Sequence, residues 1–447
     1  MKEFAVHSTR IVTPEKVVSG YLLISEGKIA DICDHLPSSY SFEVIEAGNQ
    51  CVMPGLIDPH VHINEPGRTF WEGFNTATTA AAASGITMLV DMPLNSTPVT
   101  TTLENFQTKL HAAENTLHVN VGFWGGVVPG NENHLEDLLR GGVLGLKAFL
   151  THSGIDDFPN AGRNELRNAL RLLKKYDRPL LVHCELSEDH EGIAQLKKQT
   201  RSYKAYLNSR PKSWENKAIE MMIELCRETG AKVHIVHLSS AEALPRIESA
   251  RREGLPLSVE TAQHYLVFSA EEIPDGDTTY KCAPPIREKA NNDQLWNALK
   301  SGLIDFVATD HSPAPPDIKE ISSGDFSKAW GGIAGLQFAL PAFWTAAKAR
   351  GFTVSDVARL MSSSPADFLT ISGKGRLAKG CDADFFIWEP ESEISFEGED
   401  IEHRHKVSPY AGKKYFGKVI STYLNGIKVY ENRMLKTPVQ GRIILSK

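Results

Sequence analysis

The sequence predicts an α/β protein: a (β/α)8 TIM barrel with a small β-sandwich built from both termini. Three observations predict it. From Ile86 onward, apolar β-rich runs that end in polar residues alternate with helix-like stretches, the grammar of parallel βα units. Eight strand-like runs can be counted, the number that closes a barrel. At 447 residues the chain is also too long for one ordinary core, so a second, smaller unit is expected.

The eight runs are CVMPGLIDPHVH, ITMLVDMPLN, VNVGFWGGVV, GLKAFL, PLLVHCE, KVHIVHLSS, PLSVETAQHY and DFVATDHSP. Amphipathic stretches such as Asn164 to Tyr176 and Lys217 to Glu228 lie between them. Polar residues collect at the C-terminal ends of the runs, where a barrel of this kind builds its active site. Outside the barrel, FAVHSTRIV and GYLLISEGKIADI near the start resemble DADFFIWEP and KVISTYLNGIKVYENRML near the end, all short alternating segments. Two separate extensions would leave strands with bare edges and little core. Residues 1–52 and 375–447 are therefore assigned to one shared sandwich and 53–374 to the barrel.

Composition narrows the function classes. With 41% hydrophobic and 23% charged residues, and no apolar run near the ~20 residues of a membrane span, no membrane partner is expected. A net charge of -7 without a basic stripe argues against nucleic acid and leaves a small-molecule substrate. The start MKEFAVHSTRIV lacks the pattern of a signal peptide, so the cytoplasm is the expected compartment. The six cysteines form no CxxC pair, against a thiolate metal site or a disulfide framework. Cys184, beside His183, reads more readily as core than as a nucleophile.

The chemistry gathers at strand ends. On a strand, His60 and His62 of DPHVH point to the same side and can converge on one ion. Taken alone, such a pair is as readily explained by backbone hydrogen bonds. His183 closes PLLV, His237 closes HIV and Asp310 closes DFVAT, so in a barrel four histidines and a carboxylate meet around one axis. Those donors suit zinc, manganese, cobalt or iron. His234 competes with His237, and because residues three apart on a strand face opposite ways, His237 is chosen. His264 either reaches the substrate or packs beneath the site.

Lys147 lies in an otherwise apolar strand, where an unpaired ammonium would be costly. Either it snorkels to the rim, or burial beside two cations makes it a neutral amine that takes up carbon dioxide as a bridging carbamate.

Taken in order, PGLIDPHVH, EPGR, WEGF, DMPLNSTP, GLKAFL, LVHCE, HIVHLSS, CAPPIR, TDHSP, KAWGGIAGLQ and GRLAKGCDADF resemble the cyclic amidohydrolases. That family includes dihydroorotase, the hydantoinases with dihydropyrimidinase, and allantoinase, and the resemblance covers nearly the whole chain. It implies two divalent metal ions per subunit, zinc first and manganese or cobalt as alternatives. His60 and His62 would hold the more buried ion, His183 and His237 the more exposed one, the Lys147 carbamate would bridge them, and Asp310 would complete the buried site. It further implies attack of metal-activated water on a ring carbonyl, with Asp310 as catalytic proton carrier, and a homotetramer.

Within the family, Asn64 stands where dihydroorotase-like sequences carry an arginine for a substrate carboxylate. His152 stands where hydantoinase-like sequences carry a tyrosine. GRTFWEGF, DMPLNS and AWGGIAGLQ resemble the allantoinase branch, which implies allantoin as substrate. Asn64, Asn95, Cys282 and Ser312 are the expected substrate contacts, and Trp330 with Gly331 and Gly332 offers a cover. A metal-free scaffold relative is the reading of a different class; such relatives typically lack ligands that are all present here.

Overall fold

The computed structural model describes residues 3–38, 40–436 and 439–446; the outermost positions of the expected sandwich, 1, 2 and 447, lie outside them. Strands β1 (Phe4–Val12), β2 (Val17–Ser25), β3 (Lys28–Cys33) and β4 (Glu43–Pro54) open the chain. The barrel follows with β5 (Leu56–Val61), β6 (Ile86–Asp91), β7 (Asn120–Phe123), β8 (Gly125–Gly126), β9 (Leu146–Phe149), β10 (Leu180–His183), β11 (Val233–Ile235), β12 (Leu257–Ala262) and β13 (Phe306–Ala308). Strands β14 (Phe385–Ile394), β15 (Tyr415–Leu424), β16 (Ile427–Glu431) and β17 (Met434–Leu435) end it.

The terminal strands form one sheet in the order β17-β16-β15-β14-β4-β1-β2-β3, so strands from both ends of the chain meet at the β14–β4 pair. The sheet folds over on itself as a sandwich. Phe4 on β1 and Tyr423 on β15 are three strand steps apart, about 14 Å in a flat sheet, yet their rings lie 6.0 Å apart. Phe4, Val6, Leu22, Ile24, Phe385 and Tyr423 belong to one buried cluster.

Parallel strands β5-β6-β7 and β8-β9-β10-β11-β12-β13 make the barrel wall. β7 and β8 are one strand interrupted at Trp124, and a parallel bridge between Val61 and His311 closes the ring. Every residue of β5 and β6 is buried, as expected of parallel strands covered on both faces. The outer helices follow the same logic: in Arg163–Tyr176, Leu166, Ala169, Leu170 and Leu173 are buried at helical spacing and the chain leaves through Asp177 at φ 53°. No helix among the described residues is long and apolar enough to cross a membrane.

Besides the break at Trp124 and the early end of β13 at Ala308, the structure differs from the expected strands at three turns. CVMPGLIDPHVH is two strands: CVMP ends β4, and the barrel strand begins after Gly55, whose Cβ would sit 2.2 Å from Thr87 Oγ1. β4 thus continues two residues past the expected edge at 52. KVHIVHLSS keeps only Val233–Ile235 as strand, with His237 turned to φ 38°. QHY leaves β12 for a short helix, Gln263–Val267, so His264 does not end a strand.

Candidate metal centre

His60 is the penultimate residue of β5, with His62 just past its end; His183 ends β10; His237 and Asp310 follow β11 and β13 at positive φ, 38° and 47°. Non-glycine residues in the left-handed region are uncommon, and here two of them turn a side chain toward the axis as the strand ends. Ligand atoms of His60, His237 and Asp310 all lie within 4.8 Å of one another. Asp310 Oδ1 is 3.2 Å from His60 Nε2 and 3.4 Å from His62 Nε2. His183 Nδ1 and His237 Nε2 are 2.9 Å apart. All five line one cavity of about 440 Å³.

Lys147 on β9 is fully buried below that cavity rather than lining it. Its Nζ has no hydrogen-bond partner among the described residues and lies 5.1 Å from the centre of the Phe149 ring, which stacks on His183 at 4.4 Å. Burial, opposed by Glu260 and Asp310, lowers its pKa to about 8. An orphaned amine at this depth, under three imidazole and carboxylate donors, fits a cation-binding centre with an amine poised to become a ligand.

Electrostatics separate the histidines. Burial would lower the pKa of His60, but Glu260 and Asp310 on either side raise it to about 9. Burial lowers those of His62 and His183, and that of His237 falls further beside the other basic groups. Asp310, despite burial, is held well below the usual carboxylate range by His60, His62 and His237. Neutral imidazoles and an ionised carboxylate are the metal-binding forms.

Two carboxylates that the sequence reading did not single out hold these candidate ligands. Glu260 on β12 accepts from His60 Nδ1, from His234 Nε2 at 3.1 Å and from the backbone N–H of His237 at 3.3 Å. Glu185 accepts from His183 Nε2 at 2.8 Å and from Arg210. His234 is thereby accounted for away from the cavity, its Nδ1 2.7 Å from Ser258 Oγ. The available signal was the one that exposed Lys147: a charged residue inside an apolar strand, here Glu260 in LSVETA.

Of the expected substrate contacts, Asn95 and Ser312 line the cavity, whereas Asn64 and Cys282 do not. Asn64 is 1% exposed, at φ 66°, and its amide donates to Pro313 O at 3.4 Å; its side chain shapes the loop behind the wall. Burial raises the Cys282 thiol to about 12, far from a reactive thiolate. Asn95 Nδ2 lies 3.2 Å from His62 Nδ1, and Asn95 Oδ1 has no partner among the described residues. With the amide turned end for end, Oδ1 accepts from His62 Nδ1 and leaves Nε2 free as a ligand. His264 is buried outside the cavity lining, neither ring nitrogen paired among the described residues, and burial lowers its pKa to about 4. His152 lines the cavity from the exposed side, 3.3 Å from Asp156.

The cover is anchored. Trp330 packs edge-on against Trp71 at 4.8 Å. The Lys319 ammonium donates to the carbonyls of Lys281 (2.7 Å), Trp330 (3.0 Å) and Gly332 (2.5 Å). Gly332 approaches Ser312 so closely that a Cβ would sit 2.4 Å from Ser312 O.

Comparison with known proteins agrees with this geometry. The amidohydrolase family profile matches residues 51–429. The chain is 46% identical over 442 residues to an allantoinase of Arabidopsis thaliana, covering 95% of this chain and 87% of that one. It is 43% identical to an allantoinase of Streptomyces avermitilis, covering 99% and 98%. Among solved structures, an L-hydantoinase (dihydropyrimidinase) from Arthrobacter aurescens superposes with a TM-score of 0.92 at 28% identity, covering all of both chains.

Proposed function

The chain belongs to the amidohydrolase family, and from that premise we propose that it opens the hydantoin ring of allantoin by hydrolysis, giving allantoate. The observation that carries this reading is the likeness to allantoinases along nearly the whole chain. A hydantoinase is the second reading, favoured by the structural neighbour; His152 in place of that branch's tyrosine weighs against it.

The donor set supports a divalent metal centre, for which zinc, manganese and cobalt all suit imidazole and carboxylate. His60, His62, Lys147 and Asp310 would hold one ion, and Lys147, His183 and His237 the other. Lys147 would serve both after its neutral amine adds carbon dioxide and releases a proton, becoming a carbamate. When bound, the ions supply a Lewis acid for the ring carbonyl and lower the pKa of water toward about 7.

The remaining work falls to side chains. Asp310, ionised and facing the cavity, takes a proton from the attacking water and returns it to the departing ring nitrogen. Asn95 and Ser312 offer polar contacts on the cavity wall, and Phe149 and Trp330 make part of that wall apolar, which limits water around the reacting bond. The reading includes a cytoplasmic setting, supported by six cysteines that are all free, and a homotetramer, supported by the family resemblance.

The test is hydrolysis of allantoin, hydantoin, dihydrouracil and dihydroorotate by one preparation supplied with zinc, manganese or cobalt and bicarbonate. Selective opening of allantoin is expected. Preference for hydantoin or dihydrouracil would move the chain to the second reading.

A further inference from the structure

We infer that Glu260 is a positioning residue for the metal centre: its buried carboxylate, held between the rings of His60 and His234 and the backbone N–H of His237, fixes which nitrogen of His60 faces the ion. The inference rests on the metal-centre reading above and adds a residue to it.

His60 Nδ1 donates to Glu260 Oε1, which leaves Nε2 as the nitrogen on the cavity side, 3.2 Å from Asp310 Oδ1. Two acceptors facing each other at that distance repel unless a cation or a proton lies between them. The geometry is therefore complete only with a positive charge at Nε2, and Glu260 keeps that nitrogen available. Its second oxygen is occupied as well: His234 Nε2 donates to Oε2 at 3.1 Å while His234 Nδ1 accepts from Ser258 at 2.7 Å. His234 is clamped in turn, stacked on Phe306 with ring centres 5.2 Å apart and 4.2 Å from Phe368. The carboxylate thus has a rigid outer anchor and cannot follow His60 if the ring turns. The bond to the His237 N–H ties the same carboxylate to the backbone of a second ligand at the turn where φ becomes positive. Carboxylates behind metal-bound histidines fix the tautomer and make the ligand more basic. A packing role alone would be met equally well by the isosteric amide.

Glu260→Gln keeps the size, removes the charge and replaces one acceptor oxygen with an NH2 donor, so it cannot accept from both His60 and His234. Wild type and Glu260→Gln, stripped of metal and titrated with Co(II) in bicarbonate buffer, are compared by binding isotherm and by the visible Co(II) spectrum. The expected result is two ions in the wild type, with one of them bound about 10- to 100-fold more weakly in the variant and its Co(II) bands altered. A folded variant that binds both ions with wild-type affinity and spectrum overturns the inference. A wild type that binds no ion overturns the metal-centre reading itself, and this inference with it. Should Glu260→Gln not fold, nitrogen-15 NMR of the histidines in the zinc-loaded wild type decides: the proton of His60 is expected on Nδ1, and metal or a bare lone pair at Nδ1 overturns the inference.

Discussion

The barrel mouth and the edge of the terminal sheet bury a lysine in opposite ways. Beside the sheet, Lys374 is 8% exposed and fully matched: its ammonium lies 2.8 Å from Asp382 and 2.6 Å from Asp384, and Asp384 also accepts from the Asn425 backbone at 2.7 Å. At the barrel mouth, Lys147 is wholly buried with no partner among the described residues, while four imidazoles and Asp310 converge above it without closing their own hydrogen-bond pattern. An unpaired buried charge costs several kcal/mol, so the fold keeps one only where something else completes it. Charges that satisfy one another hold the fold together; charges that do not mark the place where a ligand belongs.

The sharpest way to break this contrast is Lys147→Ala. Removing this orphaned amine should abolish metal retention and lower turnover on the order of 10³-fold or more, with partial rescue by short carboxylic acids standing in for the carbamate. Normal metal content in that variant would mean that Lys147 is only a tolerated buried lysine. The same residue carries a pH signature. Carbon dioxide adds to the neutral amine, and with a pKa lowered from 10.5 to about 8 the neutral fraction rises steeply as pH climbs from 6 toward 9. Recovery of activity by metal-free protein given zinc at a constant concentration of dissolved carbon dioxide should therefore quicken over that range; a rate independent of pH under that condition would remove the carbamate. Next in size, Asp310→Asn should lower turnover about 10²- to 10⁴-fold and retain part of the metal, since an amide oxygen still coordinates but carries no proton. Full activity would end the proton-carrier role.

How much of this was legible in the sequence follows from the same contrast. The barrel strands were readable because parallel strands covered on both faces are apolar along their length, as in ITMLVD and LLVH. The candidate ligands could be proposed because polar residues at the ends of such runs have few other reasons to be there, and the fold brings them to one cavity. Strand ends were misjudged where one residue turns the chain: Gly55 splits the first run, and His237 at φ 38° takes its ring to the axis by backbone rotation rather than by strand alternation. The choice of His237 over His234 therefore rested on a pleat that stops at Ile235. Glu260 stood out only as a charge inside the apolar run LSVETA, and neither it nor Glu185 showed its partner, because a carboxylate acquires its role from the histidine that folding puts against it and His60 and Glu260 lie 200 residues apart. Asn64 differs in the opposite sense: its position after the second histidine suggested a substrate contact, whereas the folded chain has it buried, at φ 66°, outside the residues that line the cavity.

The contrast predicts a stability loss without a catalytic one at the sheet. Lys374→Met leaves the buried Asp384 without a cation while Asp382 keeps only Lys28, and should cost about 3–5 kcal/mol in urea unfolding with kcat unchanged in the protein that remains folded. A large drop in kcat would show that the terminal sheet communicates with the barrel mouth.

Glu185 tests the boundary between the two behaviours, because it touches a ligand and yet is fully paired, with His183 and Arg210. Burial would raise its pKa, but Arg210 and His183 outweigh that and hold it down to about 2, below its ordinary 4.5. A carboxyl depressed in the folded state stabilises that state above its unfolded pKa and loses the contribution as pH falls from 4.5 toward 2. Metal-free wild type should therefore lose about 2 kcal/mol more than Glu185→Gln between about pH 6 and pH 3, read from urea midpoints at each pH. Equal losses would mean that the pairing seen in the fold adds nothing to stability, and Glu185 would then belong with Lys147 among the groups kept for the ions.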